Sequence, residues 1–117
     1  DCAATSGSQI VILPSGAVGI CHGCIETHEY FIANIHEFED LRKNKVFIEW
    51  SRLTPLLNDE CLSCEALGIC GGGCPINAKN RSESKDIHAQ DHAFCIHSKT
   101  VLNYLIRKLY CVMKENH

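Results

Sequence analysis

Four cysteines fall within the fourteen residues of Cys61-Leu-Ser-Cys64-Glu-Ala-Leu-Gly-Ile-Cys70-Gly-Gly-Gly-Cys74. A Cys-x2-Cys pair lets two thiolates from one tight turn grip the same metal centre, a geometry shared by zinc sites and iron–sulfur clusters. The Gly71-Gly72-Gly73 run narrows the choice. A backbone without Cβ atoms adopts positive φ and passes close to a bulky inorganic body, aiming N–H groups at it. A single zinc ion has little use for three such residues, whereas a cluster several times wider does. The stretch reads as a cluster cradle.

The remaining composition agrees with a small metal-bearing fold. At 117 residues the chain suits a single domain, 1–117, with a modest core. Its net charge of -3 is spread over interspersed acidic and basic residues, which argues against a nucleic-acid partner. No apolar run approaches the roughly 20 residues of a membrane span, and the N-terminus does not resemble a signal or transit peptide. An opening of Asp1-Cys2 without Met predicts a fragment or a processed product. The nine cysteines stand at positions 2, 21, 24, 61, 64, 70, 74, 95 and 111. In a small secreted chain they would be a disulfide framework. Here the count is odd and five of the nine lie between Cys61 and Cys95 at metal-ligand spacing. Reduced, intracellular thiols in a cytoplasmic protein are therefore expected.

Along the chain, Gln9–Leu13 is rich in β-branched residues, Pro14-Ser15-Gly16 is a turn signal and Ala17–Ile20 returns, predicting an N-terminal β-hairpin. Antiparallel strands with a tip at Ser15-Gly16 would bring Cys2 and Cys21 towards each other. Cys21-His22-Gly23-Cys24 is a second Cys-x2-Cys, weak by itself, in which His22 is a zinc ligand, a general base or a polar loop residue. Tyr30–Ile35 is apolar and extended, and His36–Asn44 opens a helix or turn. Phe47, Ile48, Trp50, Leu53, Leu56 and Leu57 form a helical apolar stripe limited by Pro55, with Trp50 in the core. Asn80–Lys85 reads as a flexible loop. Phe94–Met113 is the clearest helix, carrying Val101, Leu102, Leu105, Ile106, Leu109 and Val112 on one side. Cys95 sits at its start, and Cys111, beside the apolar stripe, is expected to be a buried thiol. The expected architecture is a small, irregular α+β domain: N-terminal β-hairpin, central helix, cysteine-rich cluster loops and C-terminal helix.

The full set, Cys2-x13-Gly16-x4-Cys21, then Cys61-x2-Cys64-x5-Cys70-x3-Cys74, then Cys95, closely resembles the SPASM domain, the auxiliary-cluster module of radical S-adenosylmethionine (SAM) enzymes. The likeness runs from Cys2 to about Leu105, and Asn34-Ile35 and Phe94-Cys95 followed by Lys99 also look like family features. The resemblance implies two 4Fe–4S clusters. Cys61, Cys64, Cys70 and Cys95 would hold the distal one. Cys2, Cys21 and Cys74 would hold the one nearer the catalytic core, with its fourth ligand unidentified. Three alternatives stand for that place: a ligand lost at the chain boundary, an open position on the iron, or Cys24.

The SAM-binding Cys-x3-Cys-x2-Cys motif of full family members has no counterpart, since Asn77 stands where its third cysteine would follow Cys70-x3-Cys74. SAM would bind only in a separate core domain, and this fragment would not be catalytic alone. What the resemblance implies is electron transfer and substrate docking within an oxidoreductase that matures a peptide or protein. The implied partners are the radical SAM core of the parent chain and the peptide or protein substrate. In sulfatase-maturating relatives an Asp, thought to act as a base, follows the second pattern cysteine. His22 takes that place here, which favours peptide maturation and leaves His22 as a weak catalytic candidate. The alternative from another class is a zinc-bound peptide-recognition module with no redox role.

Overall fold

Residues 2–37 and 40–115 are described in the computed structural model, and they divide into two compact units, 1–57 and 58–117. The first unit is built on a hairpin whose turn is set by glycine. Strand β1 (Val11–Ile12) pairs antiparallel with β2 (Ala17–Gly19), placing Val11 opposite Gly19 and Ile12 opposite Val18. Gly16 turns the chain at φ +85°, a region that favours glycine, and donates its N–H to the Leu13 carbonyl at 2.8 Å. Strand β3 (Phe31–Asn34) adds antiparallel to the other edge of β2, giving the order β1-β2-β3. A register irregularity between Val18 and Gly19 lets the Phe31 ring occupy the space a side chain at position 19 would need; a Cβ there would lie 2.8 Å from that ring.

Helix α1 (Lys45–Trp50) is capped by Asn44, whose Oδ1 accepts from the Val46 and Phe47 N–H groups at 2.9 and 3.4 Å. The apolar pattern predicted a helical stripe reaching Leu57. The helix instead stops at Trp50, because a residue before proline disfavours helical dihedrals and Thr54 precedes Pro55. Pro55–Leu57 forms a separate 3-10 turn that leaves Leu56 and Leu57 exposed. Two more 3-10 turns, Ile35–Glu37 and Leu41–Lys43, occupy most of the stretch expected to open a helix or turn; Phe38 and Glu39 lie outside the described residues. Val18, Ile20 and Trp50 form the heart of this unit's core, each 1% exposed. Trp50 meets Tyr30 edge-on with ring centroids 5.0 Å apart, as its place in the core requires.

The second unit is helical among its described residues: α2 (Asp59–Leu62), α3 (Leu67–Cys70), α4 (Pro75–Arg81) and α5 (His92–Glu115). The cysteine segment is thus a chain of short helices joined by tight turns, more ordered than the loops expected. The segment predicted as a flexible loop, Asn80–Lys85, begins inside α4. Pro75 supplies the pre-set φ of a first helical residue, and the far end is tied down by Ser82 Oγ donating to the Lys79 carbonyl and Lys85 Nζ donating to that of Asn80. Among the described residues, buried apolar side chains are few here: Ala66, Ala78 and Ile87. Helix α5 runs for 24 residues, and its side chains beyond Leu102 are exposed. Cys111 is among them, which corrects the expectation of a buried thiol. The periodic stripe on α5 leaves Leu105, Ile106, Leu109 and Val112 exposed. Among the described residues no helix is long and apolar enough to cross a membrane.

Candidate metal centre

Cys61 lies inside α2, a one-turn helix that starts where Asn58 Oδ1 accepts from the Glu60 and Cys61 N–H groups at 2.9 and 3.3 Å. Acidic Asp59 and Glu60 suit its first turn, where backbone N–H groups gather. The chain then tightens. Cys64 donates its N–H to the Cys61 carbonyl at 3.0 Å, and Leu67 donates to that of Cys64 at 3.1 Å. Helix α3 carries the next thiol at its last residue, Cys70. It ends because Gly71 adopts the left-handed conformation at φ +61° and returns its N–H to the Leu67 carbonyl. Gly72 and Gly73 continue at φ +93° and +76°. Three successive left-handed residues would cost an L-amino-acid chain about 1–2 kcal/mol each, which is the physical reason for the triple glycine.

The run passes directly against the start of α5. A Cβ on Gly73 would stand 3.0 Å from Asp91 Cβ and 3.3 Å from Phe94 Cβ, atoms fixed to the helix backbone that have no room to yield. Gly73→Ala is therefore expected to cost about 2–4 kcal/mol, combining left-handed strain with overpacking. Gly68→Ala makes the same chemical change inside α3, where nothing lies within 4 Å, and is expected to gain about 0.5–1 kcal/mol. Urea midpoints of the two variants should move in opposite directions. A Gly73→Ala midpoint equal to that of the unaltered chain would mean the close approach carries no energy.

Asp91 joins these parts. Its side chain is 2% exposed. Oδ1 accepts from the Phe94 N–H at 3.3 Å, capping α5, while Oδ2 accepts from the Cys74 N–H at 3.4 Å. Arg81 reaches Oδ1 with one guanidinium nitrogen at 3.6 Å. One carboxylate thus holds the end of the glycine run to the start of the helix that carries Cys95. The Cys95 N–H donates in turn to the Asp91 carbonyl at 3.0 Å.

The result is a cavity of about 240 Å³ lined by Cys61, Cys64, Cys70 and Cys95, together with Gly72, Gln90, Ser98 and Lys99. A water needs only about 10–15 Å³ of such space, so this opening admits a body much larger than one atom. Cys74, beyond the glycine run, is not part of the lining. All four lining thiols are half-buried, and the cysteines form no disulfide among the described residues. Burial pushes the Cys95 thiol above its ordinary range, and the neighbouring Cys70, Cys61 and Cys64, then Asp91, push it the same way. Ionised together, these sulfurs repel one another, and multivalent cations among them relieve that repulsion. A soft, all-sulfur set of four around one cavity suits a thiolate-bound centre. Among the described residues no three His, Cys, Asp or Glu side chains are drawn onto a point that could hold a single metal ion.

The other sequence candidates lie elsewhere. Cys2 begins a turn in which its carbonyl accepts from the Thr5 and Ser6 N–H groups. Cys21 follows β2 and is buried, and Cys24, also buried, ends a 3-10 turn, donating its N–H to the Cys21 carbonyl at 3.2 Å. These three belong to the first unit and Cys74 to the second. His22 is exposed, its Nδ1 3.4 Å from Gln9 Nε2. His88 and His92 have the i, i+4 spacing of a helical ligand pair, but α5 begins only at His92, so the two share no helix face. The sequence reading missed Gln90 and Asp91. The signal for Asp91 was present: an Asp immediately ahead of an apolar periodic run is a helix start. Gln90 carried no such mark.

Similarity to known proteins points the same way. The chain is 33% identical over 73 residues to a radical SAM cyclopropyl synthase, TigE, of Paramaledivibacter caminithermalis. The match covers 62% of this chain and 14% of that enzyme. No family model matches, and no solved structure matches. Over that stretch, the chain is related in sequence to part of a radical SAM enzyme.

Proposed function

We propose that this chain is the auxiliary iron–sulfur domain, of SPASM type, of a radical SAM enzyme that matures a peptide or protein. The observation that carries the reading is the single cavity lined by Cys61, Cys64, Cys70 and Cys95. These four side chains would hold one 4Fe–4S cluster. By the resemblance, Cys2, Cys21 and Cys74, with a fourth ligand not yet identified, would hold a second. When bound, such clusters supply one-electron transfer at a potential set by burial, charge and hydrogen bonds to sulfur. The chain's own residues do the rest. The glycine run brings backbone close to the cavity, Asp91 holds Cys95 in place, and the half-buried setting limits access of water.

The electron relay would serve a catalytic core outside these residues, and the domain's surface would help position the substrate. The relative's name makes it a cyclopropyl synthase; the SPASM-like cysteine pattern is what makes a peptide or protein the substrate of this reading. Anaerobic reconstitution with iron and sulfide tests the reading. Brown protein with broad absorbance near ~400 nm, about eight irons per chain and cluster-type electron paramagnetic resonance on reduction are expected. Colourless protein that takes up zinc and refuses iron would replace this reading with a zinc-bound recognition module.

A further inference from the structure

Gln90 Nε2 lies 3.6 Å from Cys61 Sγ, and Gln90 lines the same cavity as the four thiols. The residue is held from behind, since its carbonyl accepts the His92 N–H at 3.0 Å and its neighbour Asp91 is locked into the cap of α5. We infer that Gln90 is a positioning residue that sets the reduction potential of the centre bound by Cys61. This rests on the functional reading above and adds a role that the cysteine pattern does not assign.

The physics is one of charge. A thiolate bound to iron carries part of the centre's negative charge, and an added electron increases it. An N–H donor aimed at that sulfur stabilises the more negative state, so it favours reduction. The backbone N–H of Cys61 does not duplicate this bond: it is engaged with Asn58 Oδ1, which fixes the residue without touching the sulfur. The bond is present in both oxidation states, and only the part by which it strengthens on reduction moves the equilibrium. Loss of the Gln90 donor should therefore lower the potential by up to about 59 mV, a tenfold shift for a one-electron couple.

The test is a potentiometric titration of the reconstituted full chain, followed by electron paramagnetic resonance, for the unaltered protein, Gln90→Leu and Gln90→Glu. Gln90→Leu removes the donor at similar size, and Gln90→Glu replaces it with a charge that opposes reduction. The expected result is equal iron content in all three, with one reduction wave moving to lower potential in Leu and further in Glu while the other wave stays. Equal iron with both waves unmoved overturns the inference and leaves the functional reading intact. Iron lost from the variants, with an unchanged potential in what remains, assigns Gln90 to cluster retention and also overturns it. Failure of the unaltered chain to take up iron overturns both.

Discussion

Cys70→Ala is expected to remove one of the two centres outright: iron should fall from about eight to about four per chain, and amide exchange across 58–95 should rise towards that of an unfolded chain. The size of the effect follows from what else holds the second unit together. Among the described residues its buried apolar side chains are Ala66, Ala78 and Ile87, and even complete burial of an isoleucine contributes only about 1.5–3 kcal/mol. Metal binding that exists only in the folded state counts as folding free energy, on the order of 10 kcal/mol for structural zinc. A centre bound there would therefore outweigh the core. Cys70 also ends α3, and the alanine keeps that helix and the Gly71 turn, so the change isolates the thiol from the backbone. Cys64→Ala should behave alike. Full iron with native exchange in either variant would break the assignment.

Asp91→Ala should cost about 2–4 kcal/mol in urea unfolding, as much as Gly73→Ala. Loss of an N-cap accounts for about 0.5–2 kcal/mol. Stripping the partner from the half-buried Cys74 N–H adds up to about 1–3 kcal/mol. The Arg81 contact adds little, because its side chain is 63% exposed and the pair is screened by solvent. Arg81→Ala is accordingly expected to cost under about 1 kcal/mol, and Asp91→Asn, which keeps a capping oxygen, to fall between. Equal midpoints for Asp91→Ala and the unaltered chain would show that the junction between the glycine run and α5 is held by something else.

These two sites show how unevenly the chain discloses itself. The hairpin, the extended segment expected over Tyr30–Ile35 and the helix expected over Phe94–Met113 were legible because each is written in adjacent residues: β-branched runs around Ser15-Gly16, and an apolar period on α5. That Phe31–Asn34 would join β2 as a third strand was not, since pairing partners leave no local mark. The stripe through Leu57 misled, because the apolar period was read on to Leu57 although the helix ends at Trp50 and Pro55–Leu57 forms a separate turn. Cys111 misled for the opposite reason. Its place on the apolar side of α5 was right, but its side chain there is exposed.

Local chemistry alone, then, determined the thiol set and the need for glycine at 71–73, since ligand spacing and left-handed backbone are properties of neighbouring residues. Only tertiary structure decided that Cys95 shares a cavity with Cys61, Cys64 and Cys70, that Gln90 faces a sulfur 29 positions away in sequence, and that Asp91 ties a turn to a helix. Contacts of that kind form when distant segments close upon one another, and the entropy of loop closure is offset by the whole fold and by no single motif.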